Sequence, residues 1–449
     1  MKKGKVLTLQ VEEMDFKGKG IAFYEGKPIK IRGGVIGEKV EARVRKRKGE
    51  LEGEVIRIIE RSPLEVESPC PHFGECGGCT YQNLTYETQL MIKERGVLKL
   101  LEKEGIADFE FLGIEASPRV YGYRNKMEYT FGRDKEGNKA LGLHRKGKFY
   151  EIVMTDKCNI VDEDFKKALS IAFDYALQKE LPFYDKKTHE GYLRHLVVRK
   201  ASKNNELLIN IVTTTQIDHN FNELVERYKK AEFIANLVGI LHTYNNSLSD
   251  AVICEKMEIL YGRDYLIEEL LGLKFKISPF SFFQTNSYGA ERIYSTVRDF
   301  AGDVSGKVVF DLYCGTGTIG IIMAPVAKKV FGIEIVEEAV ISARENSKLN
   351  GLDNIEFLAG DVSKKLKEIN EKPDVVIVDP PRAGINLRTI EDISKLSPEK
   401  IIYVSCNPET FVRDLKLFNE KGYSVKKIKL IDMFPHTYHV ESVGLLEKE

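Results

Sequence analysis

The chain has 449 residues, 43% hydrophobic and 30% charged, with 68 basic side chains against 68 acidic. These proportions exclude a disordered, fibrous or membrane-embedded chain and, at roughly 150 residues per domain, leave room for two to four domains. The basic start has no apolar segment behind it and does not read as a secretory signal, and the longest apolar stretch, near Ile319 to Ala327, is too short to span a bilayer. A cytoplasmic chain without membrane contact is expected.

Zero net charge conceals an asymmetry. Residues 1–62 hold 16 Lys and Arg against 10 Asp and Glu, a net of +6, which leaves −6 on the remainder. A basic module of this kind attracts phosphate backbones through counterion release, although a sign-mixed solvated surface gives the same number by chance. Within it, the runs KVLTLQV, GIAFY, KPIKI, EKVEARV and GEVIRII, separated by glycine turns, predict five short strands closing an OB-like β-barrel over residues 1–60. The run from Arg43 to Lys48 would end one strand and enter its turn.

Ser62-Pro63 and Ser68-Pro69 bracket a linker, after which three cysteines, Cys70, Cys76 and Cys79, crowd into ten residues. Seven cysteines in a chain of this length, so grouped, suit a metal or catalytic role better than a disulfide framework. An amphipathic helix is predicted from about Thr85 to Glu104, stopped by Gly105, and the segment 61–280 reads as a mixed α+β middle domain. Residues 281–449 alternate strand and helix. KVVFDLYCG, KKVFGIEIV, NIEFLAGD, DVVIVDPPR and KIIYVSCNP are the five strands of a Rossmann-like, doubly wound α/β domain, with a helix from Val336 to Asn350. Two more strands, YSVKKIKLIDMF and HVESVGLLEK, lack an intervening helix and are expected as an antiparallel pair at the sheet edge.

The loop Asp311 to Gly320 follows a strand, opens a helix and carries glycines at 315, 317 and 320, while Glu334 lies 19 residues after Gly315 at the end of the next strand. Glycines there let a ligand approach the backbone, and an acidic residue at that place binds ribose hydroxyls, so a dinucleotide and S-adenosylmethionine both fit. Asp361 and the rigid Asp379-Pro380-Pro381-Arg382 favour the second, because a dinucleotide enzyme has no evident use for such a segment there, whereas S-adenosylmethionine methyltransferases commonly place an acidic residue and two prolines beside the methyl group. Cys406 follows the fifth strand, at the end of the sheet where ligands bind, and could act as a nucleophile. Cys254 and Cys314 read as inert packing.

FFQTN at 282–286, DLYCGTG at 311–317, DPPR at 379–382, SCNP at 405–408 and MFPHTYHVES at 433–442 together resemble the RNA uracil-carbon-5 methyltransferases, and the basic barrel resembles the TRAM domain of the 23S ribosomal RNA members. The resemblance implies a class I methyltransferase fold and a catalytic set of Cys406, Glu441 and Asp379. Cys406 would add to carbon 6, carbon 5 would take the methyl group of S-adenosylmethionine, and Glu441 would remove the carbon 5 proton before Cys406 leaves. Gln284, Tyr313, Thr318, Glu334, Asp361 and Asp379 match cofactor-contact positions, Thr318 standing where some members carry Asn. The three crowded cysteines need a fourth ligand, and four thiolates suit zinc or an iron-sulfur cube alike. The resemblance implies a 4Fe-4S cluster with Cys158 as that ligand. RNA is the implied partner, 23S ribosomal RNA first and the T-loop of transfer RNA as the alternative, with the enzyme expected as a monomer; a catalytically idle RNA-binding assembly factor that keeps the fold is the alternative of another class, against which the intact Cys406, Glu441 and Asp379 set argues. Tyr121 to Lys126 and Tyr192 to Arg199 alternate basic and aromatic residues, which suits either stacking on unpaired bases or ordinary strands. His436 and His439 precede Glu441 at i, i+3 spacing and are expected to order its loop rather than bind a metal.

Overall fold

The computed structural model describes residues 4–15, 17–47 and 49–449. Lys48, which closes the basic run, lies outside the described residues, as do residues 1–3 and Phe16 of the chain start.

The first five strands, β1 (Lys5–Met14), β2 (Gly20–Tyr24), β3 (Lys27–Arg32), β4 (Lys39–Arg47) and β5 (Glu50–Glu60), close a barrel in the order β1-β2-β3-β5-β4. Alternation builds it: Leu7, Leu9 and Val11 of β1 and Val40, Ala42 and Val44 of β4 point inward, and the residues between them point out. The pairing of β5 with both β3 and β4 sets Glu52 and Glu54 between Lys30 and Arg32 on one side and Arg45 and Arg43 on the other. Four cations thus flank two carboxylates on one outer face.

Helix α1 (Tyr86–Lys103) begins at Thr85, whose hydroxyl accepts the Thr88 N–H at 3.3 Å, and is followed by β6 (Glu110–Glu115). A seven-stranded middle sheet comes next, ordered β13-β12-β11-β10-β7-β8-β9. Its strands are β7 (Lys126–Arg133), β8 (Lys139–Arg145), β9 (Lys148–Met154), β10 (Leu193–Ala201), β11 (Glu206–Thr213), β12 (Asn236–Tyr244) and β13 (Lys256–Gly262). Helices α2 (Glu163–Gln178) and α3 (Asn222–Lys230) pack on it through Ala168, Leu169, Leu224 and Tyr228. The hairpin β14 (Leu266–Leu270) and β15 (Leu273–Ile277) leads out of it.

The catalytic half contains α4 (Ser287–Ala301), β16 (Val308–Leu312), α5 (Thr318–Met323), β17 (Lys329–Glu334), α6 (Glu337–Leu349), β18 (Ile355–Ala359) and α7 (Val362–Lys365). It continues with β19 (Val375–Val378), α8 (Leu387–Leu396), β20 (Lys400–Ser405), α9 (Pro408–Asn419), β21 (Tyr423–Ile431) and β22 (Glu441–Lys448). Eight strands run in the order β18-β17-β16-β19-β20-β22-β21-β6, the first five parallel as the sequence predicts. The expected antiparallel pair forms, but it does not end the sheet: β22 sits between β20 and β21, and β6 covers β21 in parallel. Val97, Leu101 and Ile106 from the α1 segment join Phe411, Leu415 and Ile428 in the same core, so residues 86–115 pack with the C-terminal sheet and not with the middle one.

The α1 contact is also polar. Lys93, 1% exposed, donates to Asp432 Oδ1 at 2.7 Å and to the Phe434 carbonyl at 3.1 Å, while the Tyr86 hydroxyl donates to Asp432 Oδ2 at 2.8 Å. Truncating one partner of a buried pair leaves the other charge uncompensated, at a cost of about 3–5 kcal/mol. Lys93→Met is therefore expected to lower the melting transition of the catalytic half by roughly 10 °C in calorimetry, with an unchanged transition counting against the pair.

Candidate active site

Strand register brings Cys406 and Glu441 together across the stretch of chain that separates them, with Asp379 beside them. Ser405 of β20 pairs with Ser442 of β22 in the antiparallel ladder, so the next step sets Cys406 opposite Glu441. In the parallel ladders Leu312 pairs with Val378 and Val378 with Tyr403, which aligns Tyr313, Asp379 and Val404 at the same end of the sheet. Asn407 caps α9 and donates through Nδ2 to the Arg382 carbonyl at 2.8 Å, tying the SCNP turn to the DPPR turn.

The three groups shape one another electrically. Burial pushes the Glu441 carboxyl up to about 8, Asp379 adding to the effect and Arg382 opposing it. Asp379 keeps some exposed surface, yet loss of solvent lifts its carboxyl to about 7. The Cys406 thiol is pushed up to about 11, by burial first and then by Glu441 and Asp379, against a hydrogen bond and the charge of Arg382. Two residues without a role in the sequence reading enter here. Arg382 is exposed and faces both Cys406 and Glu441, and Tyr294 on α4 is buried with its phenol among Asp379, Asp311 and Glu441, which raise its proton affinity further after burial itself. Arg382 was visible as the last letter of a motif; Tyr294 was hidden in the apolar stripe of α4.

Beside them lies the glycine loop. Gly317 has φ +77°, and a Cβ there would lie 2.6 Å from the Phe357 ring, so only glycine fits. Gly315, at φ +53°, has no atom within 4 Å of where its Cβ would stand, leaving the backbone open to a ligand. Tyr313 takes the left-handed conformation at φ 63° without being glycine, a strain found at functional turns. Glu334 accepts the Gly315 N–H at 3.1 Å and the Val336 N–H at 3.0 Å, which fixes its carboxylate at the end of β17. Asp361 caps α7 and stays exposed, whereas Thr318 is buried at the start of α5. Gln284 sits in a loop gripped from the middle sheet: Asn125 donates its Nδ2 to the Gln284 carbonyl at 3.1 Å and to Ser287 Oγ at 2.9 Å. The open backbone at Gly315, the fixed acid at Glu334 and the partly exposed Tyr313 make a cradle that fits an adenosyl group.

The loop ahead of Glu441 is held from both sides. Gln89 of α1 meets His436 Nδ1 at 3.2 Å and accepts the His436 N–H at 2.8 Å, and the His436 carbonyl accepts N–H groups of Thr80 and Tyr81. Burial lowers both His436 and His439 to about 4, so each is a neutral structural ring. The cysteine loop ends at that same contact. Cys70, Cys76, Cys79 and Cys158 share one electrostatic neighbourhood, and a reciprocal amide pair, Gln82 with Asn159 at 2.7 and 2.9 Å, joins the loops of Cys79 and Cys158. Gly78 N–H reaches Cys76 Sγ at 3.3 Å and Gln82 Nε2 reaches Cys79 Sγ at 3.4 Å. Among the described residues, no three His, Cys, Asp or Glu side chains are spaced to hold a metal ion.

Of the two basic-aromatic segments, the second is core. Tyr192, Arg194 and Arg199 are buried, and Arg194 spends its guanidinium on carbonyls of Asn245, Ser247 and Ser249. In the first, Tyr123 is buried with its hydroxyl on the Pro435 carbonyl, and Tyr121 is the exposed ring, stacked on His436 at 4.7 Å. Cys314 is buried as expected, but Cys254 is exposed. No described helix is long and apolar enough to cross a membrane.

A family model described as tRNA (Uracil-5-)-methyltransferase matches residues 86–449. The chain belongs to that family. It is 76% identical over 449 residues to an uncharacterized RNA methyltransferase of Caldanaerobacter subterraneus subsp. tengcongensis, with both chains covered in full, and 53% identical over 452 residues to one from Clostridium tetani, covering 100% of this chain and 99% of that one. Its structure is similar to the crystal structure of Pyrococcus abyssi tRNA (uracil-54, C5)-methyltransferase in complex with S-adenosyl-L-homocysteine, with a TM-score of 0.79 and 28% identity over 98% of this chain and 100% of that one. The protein is thus an S-adenosylmethionine-dependent RNA (uracil-C5) methyltransferase of class I fold, carrying an N-terminal five-stranded barrel.

Proposed function

We propose that this methyltransferase forms 5-methyluridine in 23S ribosomal RNA through a covalent bond between Cys406 and the uracil, acting as a cytoplasmic monomer. The observation that carries the reading is the register that opposes Cys406 to Glu441 with Asp379 alongside. Carbon 5 of uracil is a poor nucleophile until electrons are pushed onto it. Addition of Cys406 Sγ to carbon 6 opens the 5,6 double bond and moves its electron pair onto carbon 5 and O4. Burial favours the protonated thiol, so attack requires the half-exposed Cys406 to release its proton to solvent, and Arg382 is the group that favours the thiolate. Ionised Asp379 accepts the N3–H and fixes the ring. S-adenosylmethionine, when bound, supplies the electrophilic methyl group for carbon 5, and Gln284, Tyr313, Thr318, Glu334, Asp361 and Asp379 would hold it. Glu441 then removes the carbon 5 proton, the double bond reforms and Cys406 Sγ leaves.

The substrate assignment rests on the basic outer face of the barrel occurring with the cysteine loop. We assign Cys70, Cys76, Cys79 and Cys158 to a 4Fe-4S cluster: the thiols are not spaced for a single metal ion, and the reading is supported by the amide pair that joins the loops of Cys79 and Cys158 and by N–H groups directed at two of the sulfurs. Its part would be to brace the contact of the cysteine loop with the His436 loop, since the reaction moves no unpaired electron. Transfer RNA is the second reading, favoured by the similarity to the Pyrococcus abyssi enzyme.

One experiment separates these. Anaerobically purified protein, expected to contain about four irons per chain, is incubated with S-adenosylmethionine and either unmodified 23S or unmodified transfer RNA, and 5-methyluridine is measured by mass spectrometry. Product in ribosomal RNA alone is the expected result; product in transfer RNA alone would replace the substrate, and zinc in a colourless protein would remove the cluster.

A further inference from the structure

We propose that Phe149 and Tyr150, with Lys186 and Lys187 over their rings, form a base-stacking platform that holds an unpaired stretch of the substrate RNA away from the target uridine. The inference rests on the chain being an RNA methyltransferase and adds a second contact surface to it.

Neighbouring residues of a regular strand point to opposite faces, so a half-buried edge strand should bury one of two adjacent rings. On β9, the outer strand of the middle sheet, both stand out: Phe149 is 53% exposed and Tyr150 55%. The ladder between β8 and β9 slips between His144 and Arg145, an irregularity that re-aims side chains at a sheet edge. The rings are nevertheless fixed. His144 lies parallel to Phe149 at 5.3 Å and 7°, and Tyr150 meets Phe149 edge-on at 5.2 Å. Asp250 locks the arrangement from beneath, accepting from Lys186 Nζ at 2.6 Å and lying 3.0 Å from His144 Nε2. The Lys186 ammonium sits 4.7 Å from the Phe149 centroid and the Lys187 ammonium 5.0 Å from that of Tyr150.

Two exposed rings held open cost hydration free energy without contributing to the core, which is reasonable where a ligand covers them. A groove of about 590 Å³ runs beside them, its lining mixing five cations, Lys148, Lys186 and Lys187 nearest the rings, with four carboxylates. That mixture suits a nucleic acid better than an apolar protein face: bases stack on rings whatever their identity, and ammonium groups at the rim meet phosphates. The platform also connects to the catalytic loop. Gly77 N–H donates to the His144 carbonyl at 3.0 Å and Lys146 N–H to the Glu75 carbonyl at 2.7 Å, and Thr80 of the same cysteine loop donates to His436 at 2.7 Å.

The test uses the double substitution Phe149→Ala with Tyr150→Ala in the full chain, and the conservative pair Phe149→Tyr with Tyr150→Phe. Fluorescein-labelled oligouridine reports affinity, and the transcript that the wild type methylates reports KM and kcat. The alanine pair is expected to weaken oligouridine binding and to raise KM by roughly 10- to 100-fold, with kcat and S-adenosylmethionine affinity unchanged and the conservative pair close to wild type. Unchanged RNA affinity and KM in the alanine pair, beside a wild type that methylates RNA, would overturn the platform and leave the surface to a protein partner. A wild type that neither binds nor methylates RNA would overturn the functional reading and the platform together.

Discussion

Cys406→Ala is expected to reduce 5-methyluridine formation by roughly four to six orders of magnitude while leaving RNA and S-adenosylmethionine affinity near wild type. The size follows from the chemistry, because without addition at carbon 6 the site can align uracil but cannot make carbon 5 nucleophilic. The substitution removes one half-buried sulfur next to an exposed arginine, so little packing is lost. Substantial residual turnover under single-turnover conditions would remove Cys406 as the nucleophile. A milder variant sharpens the point: with Arg382→Met the thiol loses the group that opposes its upward shift, and methylation should slow most at neutral pH and recover in part as pH rises.

Glu441→Gln should behave differently, permitting addition and methyl transfer but stalling release. Turnover is expected to fall by about 10²- to 10⁴-fold, with a protein–RNA adduct that survives a denaturing gel. An equally large loss of turnover without any adduct would mean that another group takes the proton or that Glu441 acts earlier. The wild type should also show the base in its pH profile. Burial and Asp379 raise Glu441 to about 8, so the ionised form that accepts a proton is the minor one at neutral pH. The release rate is therefore expected to rise about tenfold per pH unit below pH 8 and to level above it, and Glu441→Gln should flatten that slope.

Much of this site could be read in the sequence because its motifs lie at the ends of strands whose order the β/α alternation dictates. The opposition of Cys406 and Glu441 was less visible, since it depends on β22 entering the sheet antiparallel beside β20. The place of β6 was not legible at all. EFLGIE is a short, half-buried run whose partner β21 lies far along the chain, Glu110 pairing with Lys427, and nothing local distinguishes it from a strand of the middle sheet. Arg194 and Arg199 left two readings open for a related reason: an arginine that caps buried carbonyls and one that awaits a phosphate have the same neighbours in sequence. Phe149 and Tyr150 carry no signal of their own in the sequence, because a slip in the ladder leaves no mark in composition.

The distance between β6 and its partner sets the order in which this molecule can be made. The ribosome releases the helix and strand that close the catalytic sheet well before β21 and β22. Until then α1 holds apolar residues Val97 and Leu101, and a lysine destined for Asp432, without a place to put them. The barrel and middle sheet can settle first, but the catalytic half must wait for β21, and its waiting edge is the segment a chaperone would meet. A separately expressed 281–449 fragment would keep every catalytic residue named here and lack the strand that covers β21. Such a fragment should aggregate along that edge, and co-expressing residues 86–115 with it should restore a soluble particle.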